Sequence, residues 1–334
     1  MTKIAILGAG SWGTGLSVVL AHSRRPHEVW LWARDPALAQ SICATHENKS
    51  YLPGIAIPEA VRITANLEEA LHAAPIVIGV VPSQHSRFVF TQAVPHISSE
   101  AILVSATKGL EPATHFRSSE VIDQVFALRF VPRVGVLSGP SFALEAAAGQ
   151  PTAVVIASQD RSLAAYIQEE FAGPGFRLYT NDDVLGVELA GAMKNVIAIA
   201  AGACQGLGLG ANTLAALITR GLAEMSRLSV ALGAKHETLS GLAGLGDLVL
   251  TCHGALSRNR RVGFELGQGR SLPDILAGMK MVAEGVGTTS ALLALARDNR
   301  IDLPITQQVH SILHLANAPR DAIRSIMERP LRPE

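Results

Sequence analysis

The sequence predicts a doubly wound α/β domain with a mostly parallel sheet, followed by an all-α domain, with the boundary at about residue 180. Three observations carry this. A strand-like run, Lys3–Leu7, leads straight into a glycine turn and a segment of helix length. Short β-branched runs then alternate with helical stretches as far as Tyr179. From Asn181-Asp182-Asp183 onward only helical periodicity remains. Strands interleaved with helices imply parallel pairing through helical crossovers, and a helical remainder implies a second core.

Each element has its own signal. The apolar stretch up to Ala21 has the outline of a secretory leader, but Gly8, Gly10, Gly13 and Gly15 around Ser11 and Thr14 do not suit a leader's helical core. Strand, turn and a helix over Ser11–Ser23 is the reading taken. Glu28–Trp32 is the next strand and Pro36–His46 the next helix. Ile76–Val81, Ile102–Ser105, Val134–Leu137, Ala153–Ala157 and Phe176–Tyr179 follow as strands. Several are continuous apolar runs, as a sheet covered on both faces requires. The Asn181–Asp183 cluster supplies helix N-caps. The helix it starts has the length of a membrane span, yet Glu188, Lys194 and Asn195 would be costly in lipid. A buried helix of a soluble protein fits better. Ala215–Leu232, Leu272–Gly278 (after a capping Ser271) and Leu292–Asn299 are further helices, and the tail Arg329–Glu334 is expected to fray. The domains are therefore 1–180 and 181–334.

Composition narrows the function. The 334 residues hold 28 Lys+Arg against 28 Asp+Glu, so a nucleic-acid or anionic-membrane partner lacks its basic counterpart. With 48% hydrophobic and 17% charged residues, disorder is excluded. Cys43, Cys204 and Cys252 are too few and too scattered for a disulfide framework, which points to a reducing, cytoplasmic setting. The 11 histidines show no metal-ligand spacing, and no metal is expected.

Gly8-Ala9-Gly10-Ser11-Trp12-Gly13 is a G-x-G-x-x-G turn in Rossmann-type context. The first glycine permits the turn, the second admits a pyrophosphate, and the third lets helix pack on strand. At the end of the second strand Ala33 stands where NAD-selective sites carry a carboxylate, with Arg34 next and Asp35 beyond. That favours NADP(H), with NAD(H) possible. Ligands of such sheets bind outside the carboxyl ends of the strands. Ser105-Ala106-Thr107-Lys108-Gly109 and Leu137-Ser138-Gly139-Pro140-Ser141 both lie there.

In the helical half, Lys194 lies among Ala190, Gly191, Ile197 and Ala198, small and apolar neighbours that let a ligand approach and a lysine lose hydration. Asn195 either binds ligand or ties helices together. Gly241-Leu242-Ala243-Gly244-Leu245-Gly246-Asp247 places one carboxylate after spaced glycines, either for chemistry or as a cap. Ser257-Arg258-Asn259 offers hydroxyl, guanidinium and amide, the best local anion site in a neutral chain. Met281-Val282-Ala283-Glu284-Gly285 is weak alone.

Taken in order, these motifs, with Asn48, Tyr51-Leu52-Pro53-Gly54 and Ala215–Gly221, resemble bacterial NAD(P)-dependent glycerol-3-phosphate dehydrogenases from about residue 3 to about 327. The resemblance implies reduction of dihydroxyacetone phosphate to sn-glycerol 3-phosphate for phospholipid synthesis. It implies Lys194 as proton donor and acceptor, with Lys108, Asp247 and Asn259 surrounding the substrate and Gly139, Ser141 and Ser257 nearby; Asp247 would either hold and tune the lysine or bind a substrate hydroxyl. Arg258 would meet the substrate phosphate or the cofactor. Ser11, Trp12, Arg34, Lys108, Ala143, Val282 and Glu284 would line the dinucleotide with Gly8, Gly10 and Gly13. Gln205 stands where the family more often has Asp, and His253-Gly254 replace a hydroxyl-bearing pair. The nearest rival, a reductase of β-hydroxyacid or ketopantoate type, acts on a carboxylate and has no use for Ser257-Arg258-Asn259. An apolar helical domain suggests a homodimer.

Overall fold

The computed structural model describes residues 1–330; the end of the tail expected to fray, 331–334, lies outside the described residues. Eight strands form one sheet: β1 (Thr2–Leu7), β2 (His27–Trp32), β3 (Arg62–Thr64), β4 (Ile76–Gly79), β5 (Ile102–Ser105), β6 (Arg133–Ser138), β7 (Thr152–Ala157) and β8 (Phe176–Asn181). Their spatial order is β3-β2-β1-β4-β5-β6-β7-β8. All neighbours pair in parallel except β6 with β7, which are antiparallel. The helices of this part are α1 (Ser11–Ala21), α2 (Pro36–Thr45), α3 (Leu67–Leu71), α4 (Ser83–Ala93), α5 (Ser118–Phe126), α6 (Ala143–Ala147) and α7 (Arg161–Phe171).

The continuous apolar runs are explained by cover on both faces. Along β1, Ile4 and Ile6 join one buried cluster while Ala5 and Leu7 join another. On β4, Ile76 and Ile78 go one way and Val77 the other. A period of two puts alternate side chains on opposite faces, and here both faces are dry. Each fully buried aliphatic side chain contributes about 1.5–3 kcal/mol. The sequence order reverses beside β1, which has β2 on one flank and β4 on the other. That reversal opens the crevice at the carboxyl ends where ligands of such sheets sit. β3 was not foreseen: three residues carry no readable periodicity. β4 ends at Gly79, two residues before the expected limit.

The second set of elements is helical: α8 (Val184–Gly206), α9 (Ala211–Ala231), α10 (His236–Ser240), α11 (Asp247–His253), α12 (Arg258–Gly267), α13 (Leu272–Ala277), α14 (Glu284–Asp298), α15 (Pro304–His314) and α16 (Pro319–Met327). Asp183 Oδ1 accepts Gly186 N–H at 2.8 Å at the start of α8, and Ser271 caps α13. α8 is long and apolar enough to cross a membrane, but 89% of its most apolar window is buried inside the protein. It meets α12 backbone to backbone. A Cβ on Gly202 would lie 1.9 Å from Arg260 O, and one on Gly263 would lie 1.9 Å from Ile199 O. α14 begins at Glu284, eight residues before the expected Leu292; the glycines and threonines of its first turns are poor helix formers and hide its periodicity.

The chain divides into two compact units. One comprises Met1–Glu111 and Phe116–Glu188, the other Pro112–His115 and Leu189–Glu334.

Candidate active site

The predicted residues fall into two sets, one in each unit. In the first, the three glycines of the turn do different work. Gly8 has φ +122°, and a Cβ there would lie 2.5 Å from Val80 O. A Cβ on Gly13 would lie 1.8 Å from Gly8 O, so the third glycine lets α1 sit on the turn. A Cβ on Gly10 would meet no described atom within 4 Å. Packing therefore does not require the second glycine, whose Cβ position faces open space at the N-terminus of α1. Backbone N–H groups at a helix N-terminus suit a pyrophosphate. The turn and the start of α1 thus form a cradle with the chemistry a dinucleotide's pyrophosphate needs.

The turn is pinned from behind. Asn48, fully buried, donates from Nδ2 to Ala9 O at 2.9 Å and to Thr14 Oγ1 at 2.8 Å. Ser11 Oγ donates to Tyr51 O. Trp12 packs against the core, its ring 6.4 Å from that of Phe176. After β2, Ala33 is buried and Arg34 exposed. Asp35 Oδ1 accepts Ala37 N–H at 2.9 Å and so caps α2. The carboxylate that follows β2 thus serves a helix, and Arg34 stands exposed beside it.

Lys108, Gly139 and Ser141 come together as the sequence indicated. Lys108 Nζ donates to Gly139 O at 2.9 Å, and Ser141 Oγ donates to the same oxygen at 3.0 Å. Gly139 has φ +130°. Ala143 opens α6, whose start lies against α1: a Cβ on Gly15 would be 3.0 Å from Ala143 O.

In the second unit Lys194 is 6% exposed, and Nζ donates to Asp247 Oδ1 at 2.5 Å and to Thr251 Oγ1 at 2.8 Å. Thr251 donates in turn to Asp247 O at 2.6 Å. A π-helical turn, Leu242–Gly246, runs directly into α11 and makes Asp247 its first residue. Gly246 occupies the cap position, so the capping reading of Asp247 falls; its carboxylate holds a lysine. Sequence reasoning did not single out Thr251. Its signal was the spacing of four from Asp247, which puts both on one helix face. Burial pushes the neighbouring Cys252 thiol up to about 12, so it stays a thiol beside the pair.

The two readings of Asn195 are also resolved. Its Oδ1 accepts Asn259 Nδ2 at 2.9 Å, while Asn259 Oδ1 accepts Gly285 N–H at 2.9 Å. These amides tie α8, α12 and α14 together. Ser257 Oγ accepts Arg260 N–H at 3.2 Å as the cap of α12. Ser257 and Asn259 thus both take part in holding α12 in place. Arg258 remains exposed, with Nη1 donating to Val282 O at 2.9 Å beside Glu284, the first residue of α14. Gln205 accepts Arg260 Nε at 2.6 Å.

A buried ammonium, fixed by a carboxylate and a hydroxyl, can give a proton to a developing oxyanion and take one back. Residues 3–164 match the family model described as NAD-dependent glycerol-3-phosphate dehydrogenase N-terminus, and 183–324 match its C-terminus counterpart. A glycerol-3-phosphate dehydrogenase (NAD(P)+) of Koribacter versatilis is 56% identical over 331 residues, 99% of this chain and 98% of the relative. One from Acidobacterium capsulatum is 52% identical over the full length of both. Among solved structures, glycerol-3-phosphate dehydrogenase from Coxiella burnetii superposes with a TM-score of 0.92 at 42% identity, covering 98% of this chain and 99% of that one. A ketopantoate reductase from Ralstonia eutropha shares the fold alone, at 20% identity and a TM-score of 0.59.

Proposed function

The chain belongs to the NAD-dependent glycerol-3-phosphate dehydrogenase family, and from that premise we propose that it reduces dihydroxyacetone phosphate reversibly to sn-glycerol 3-phosphate, with NADPH preferred and NADH accepted. The observation that carries this is the buried Lys194–Asp247–Thr251 cluster. When bound, the dihydronicotinamide supplies the hydride. As the ketone is reduced its oxygen gains negative charge, and Lys194 Nζ stabilises that oxygen and passes it a proton. Asp247 and Thr251 hold Nζ in place for both directions of transfer. Lys108 and Arg258 supply further positive charge to a phosphorylated triose, the guanidinium suiting a phosphate fork. Gly139, Ser141, Ser257 and Asn259 complete the substrate shell. Gly8, Gly10 and Gly13 cradle the pyrophosphate, with Ser11, Trp12, Arg34, Ala143, Val282 and Glu284 along the rest of the dinucleotide.

Residues 1–180 are assigned to the cofactor and 181–334 to substrate and catalysis. Exposed Arg34, with Asp35 engaged as a cap, supports the NADP preference. A cytoplasmic homodimer that feeds glycerophospholipid synthesis is the setting proposed, without nucleic-acid partners or membrane insertion. Charge balance, scattered free thiols and the buried state of α8 support it. The test is NADPH oxidation with dihydroxyacetone phosphate, with ketoacids and with no substrate. Turnover on ketoacids alone would overturn the proposal. Light scattering after size-exclusion chromatography checks the dimer, and a monomer mass rejects it.

A further inference from the structure

The loop that carries Lys108 is clamped on both sides. Upstream, Ser105 Oγ at the end of β5 meets Ser118 Oγ at 2.7 Å, and Thr107 Oγ1 donates to Val81 O at 2.8 Å. Downstream, Glu111 is a carboxylate only 8% exposed. Arg87 on α4 grips it as a fork, with Nε at 2.8 Å from Oε1 and Nη2 at 2.7 Å from Oε2. The same Nη2 reaches Gln124 Oε1 on α5 at 2.9 Å. Glu111 N–H donates to Phe116 O at 2.9 Å and closes the neck of 112–115. Between the clamps run Lys108, Gly109 with φ +148°, and fully buried Leu110. A loop end has no packing need for a buried carboxylate, and burying one is costly unless it is paired. A two-pronged guanidinium pair fixes direction as well as distance.

We propose that Arg87 and Glu111 are positioning residues for Lys108: their fork fixes the downstream stem of the loop, as Thr107 fixes the upstream stem, and together they hold Nζ at Gly139 O. The proposal rests on the assignment of Lys108 to the substrate-side machinery. Arg87 and Glu111 act through the lysine and touch neither substrate nor cofactor.

The test is a double-mutant cycle on kcat/KM for dihydroxyacetone phosphate, with Glu111→Gln and Arg87→Lys each made in the wild-type and Lys108→Ala backgrounds. Arg87→Lys keeps the charge and loses the fork, so it carries the test should Glu111→Gln fail to fold. In the wild-type background each variant lowers kcat/KM by about 10-fold or more, the scale of a misplaced catalytic group. In the Lys108→Ala background each lowers it by less than about twofold, because residues acting through one group are not additive. An equal fold-loss in both backgrounds makes the fork merely structural and overturns the proposal, as does unchanged activity in the wild-type background. Unchanged kcat/KM in Lys108→Ala alone strikes at the assignment of Lys108, and the clamp falls with it.

Discussion

Lys194 is a cation where a lone cation would be expensive, and Asp247 is what makes it tolerable. Breaking a buried pair by removing one partner costs about 3–5 kcal/mol, so Lys194→Ala confounds folding with chemistry. Lys194→Arg separates them, because a guanidinium keeps the charge but cannot release a proton. Both substitutions are expected to lower turnover by roughly 100-fold or more; an arginine variant with near-native turnover removes proton transfer from the lysine. Arg258→Ala should chiefly raise KM for dihydroxyacetone phosphate, and an unchanged KM refutes phosphate binding there. Lys194 was legible because a lysine on a small, apolar helix face is out of place. Thr251 was not, because a threonine in an apolar helix reads as ordinary until its hydroxyl is seen on Nζ. Asn48 was quoted only as part of a motif, and its grip on Ala9 and Thr14 is a contact across 39 and 34 residues that no local pattern encodes.

At the scale of elements, the crossing of α8 and α12 depends on hydrogen atoms standing where side chains would be. Gly263→Ala drives a methyl into Ile199 O on the facing backbone. Overpacking of this kind costs about 1–3 kcal/mol or more, to be read as a lower denaturation midpoint. Gly287→Ala on α14 is the contrast, since no described atom lies within 4 Å of its Cβ position. It should stabilise by about 0.5–1 kcal/mol through helix propensity. The sequence reading took small residues around Lys194 as room for a ligand and did not see that glycines further along α8 are room for a helix. The same limit hid the start of α14, where Gly285 is required because a Cβ would lie 2.7 Å from Asn195 O. Helices α9 and α15 are joined by a titratable group. Glu224 on α9, 1% exposed, accepts Ile305 N–H at 2.5 Å and both Thr306 N–H and Oγ1, at 3.2 and 3.1 Å. Burial pushes its carboxyl up to about 7 against an ordinary value of 4.5. The folded state therefore holds a proton that the unfolded chain releases near pH 4.5, and stability falls as pH rises from about 4.5 to about 7, then levels. At 1.36 kcal/mol per pKa unit this amounts to about 3 kcal/mol. Glu224→Gln should flatten that part of the profile in denaturation series at pH 5 and pH 8; an unchanged slope rejects the assignment.

At the scale of the molecule, architecture was the most legible property. Strand–helix alternation and runs apolar on both faces are local patterns, and they found seven of the eight strands. Which strand pairs with which is not local. That β7 runs antiparallel to β6 depends on the path of the chain through α6, and no spacing announces it. The neutral charge sum served to exclude partners, and it says nothing of how cations are placed. A ligand that binds only the folded protein raises its stability by about 2.7 kcal/mol at a hundredfold excess over Kd. If Arg34 reads a 2′-phosphate, NADPH should raise the melting temperature more than NADH at equal concentration; the reverse order would return the preference to NAD.

The strand order has a consequence for how the chain is made. β1, which precedes the other strands of the sheet in the sequence, lies within the sheet, and every later strand joins one of the two edges then free: β2 and β3 on one side, β4 through β8 in turn on the other. No strand has to be inserted between two that are already paired. A nascent chain can thus zip its sheet outward as it leaves the ribosome, each addition closing a contact with its most recent neighbour, β4 excepted, which returns to β1. The glycine turn at the end of β1 is consequently made before the other strands of the sheet and, waiting on β4 for its far wall, is not the first part of it to be finished.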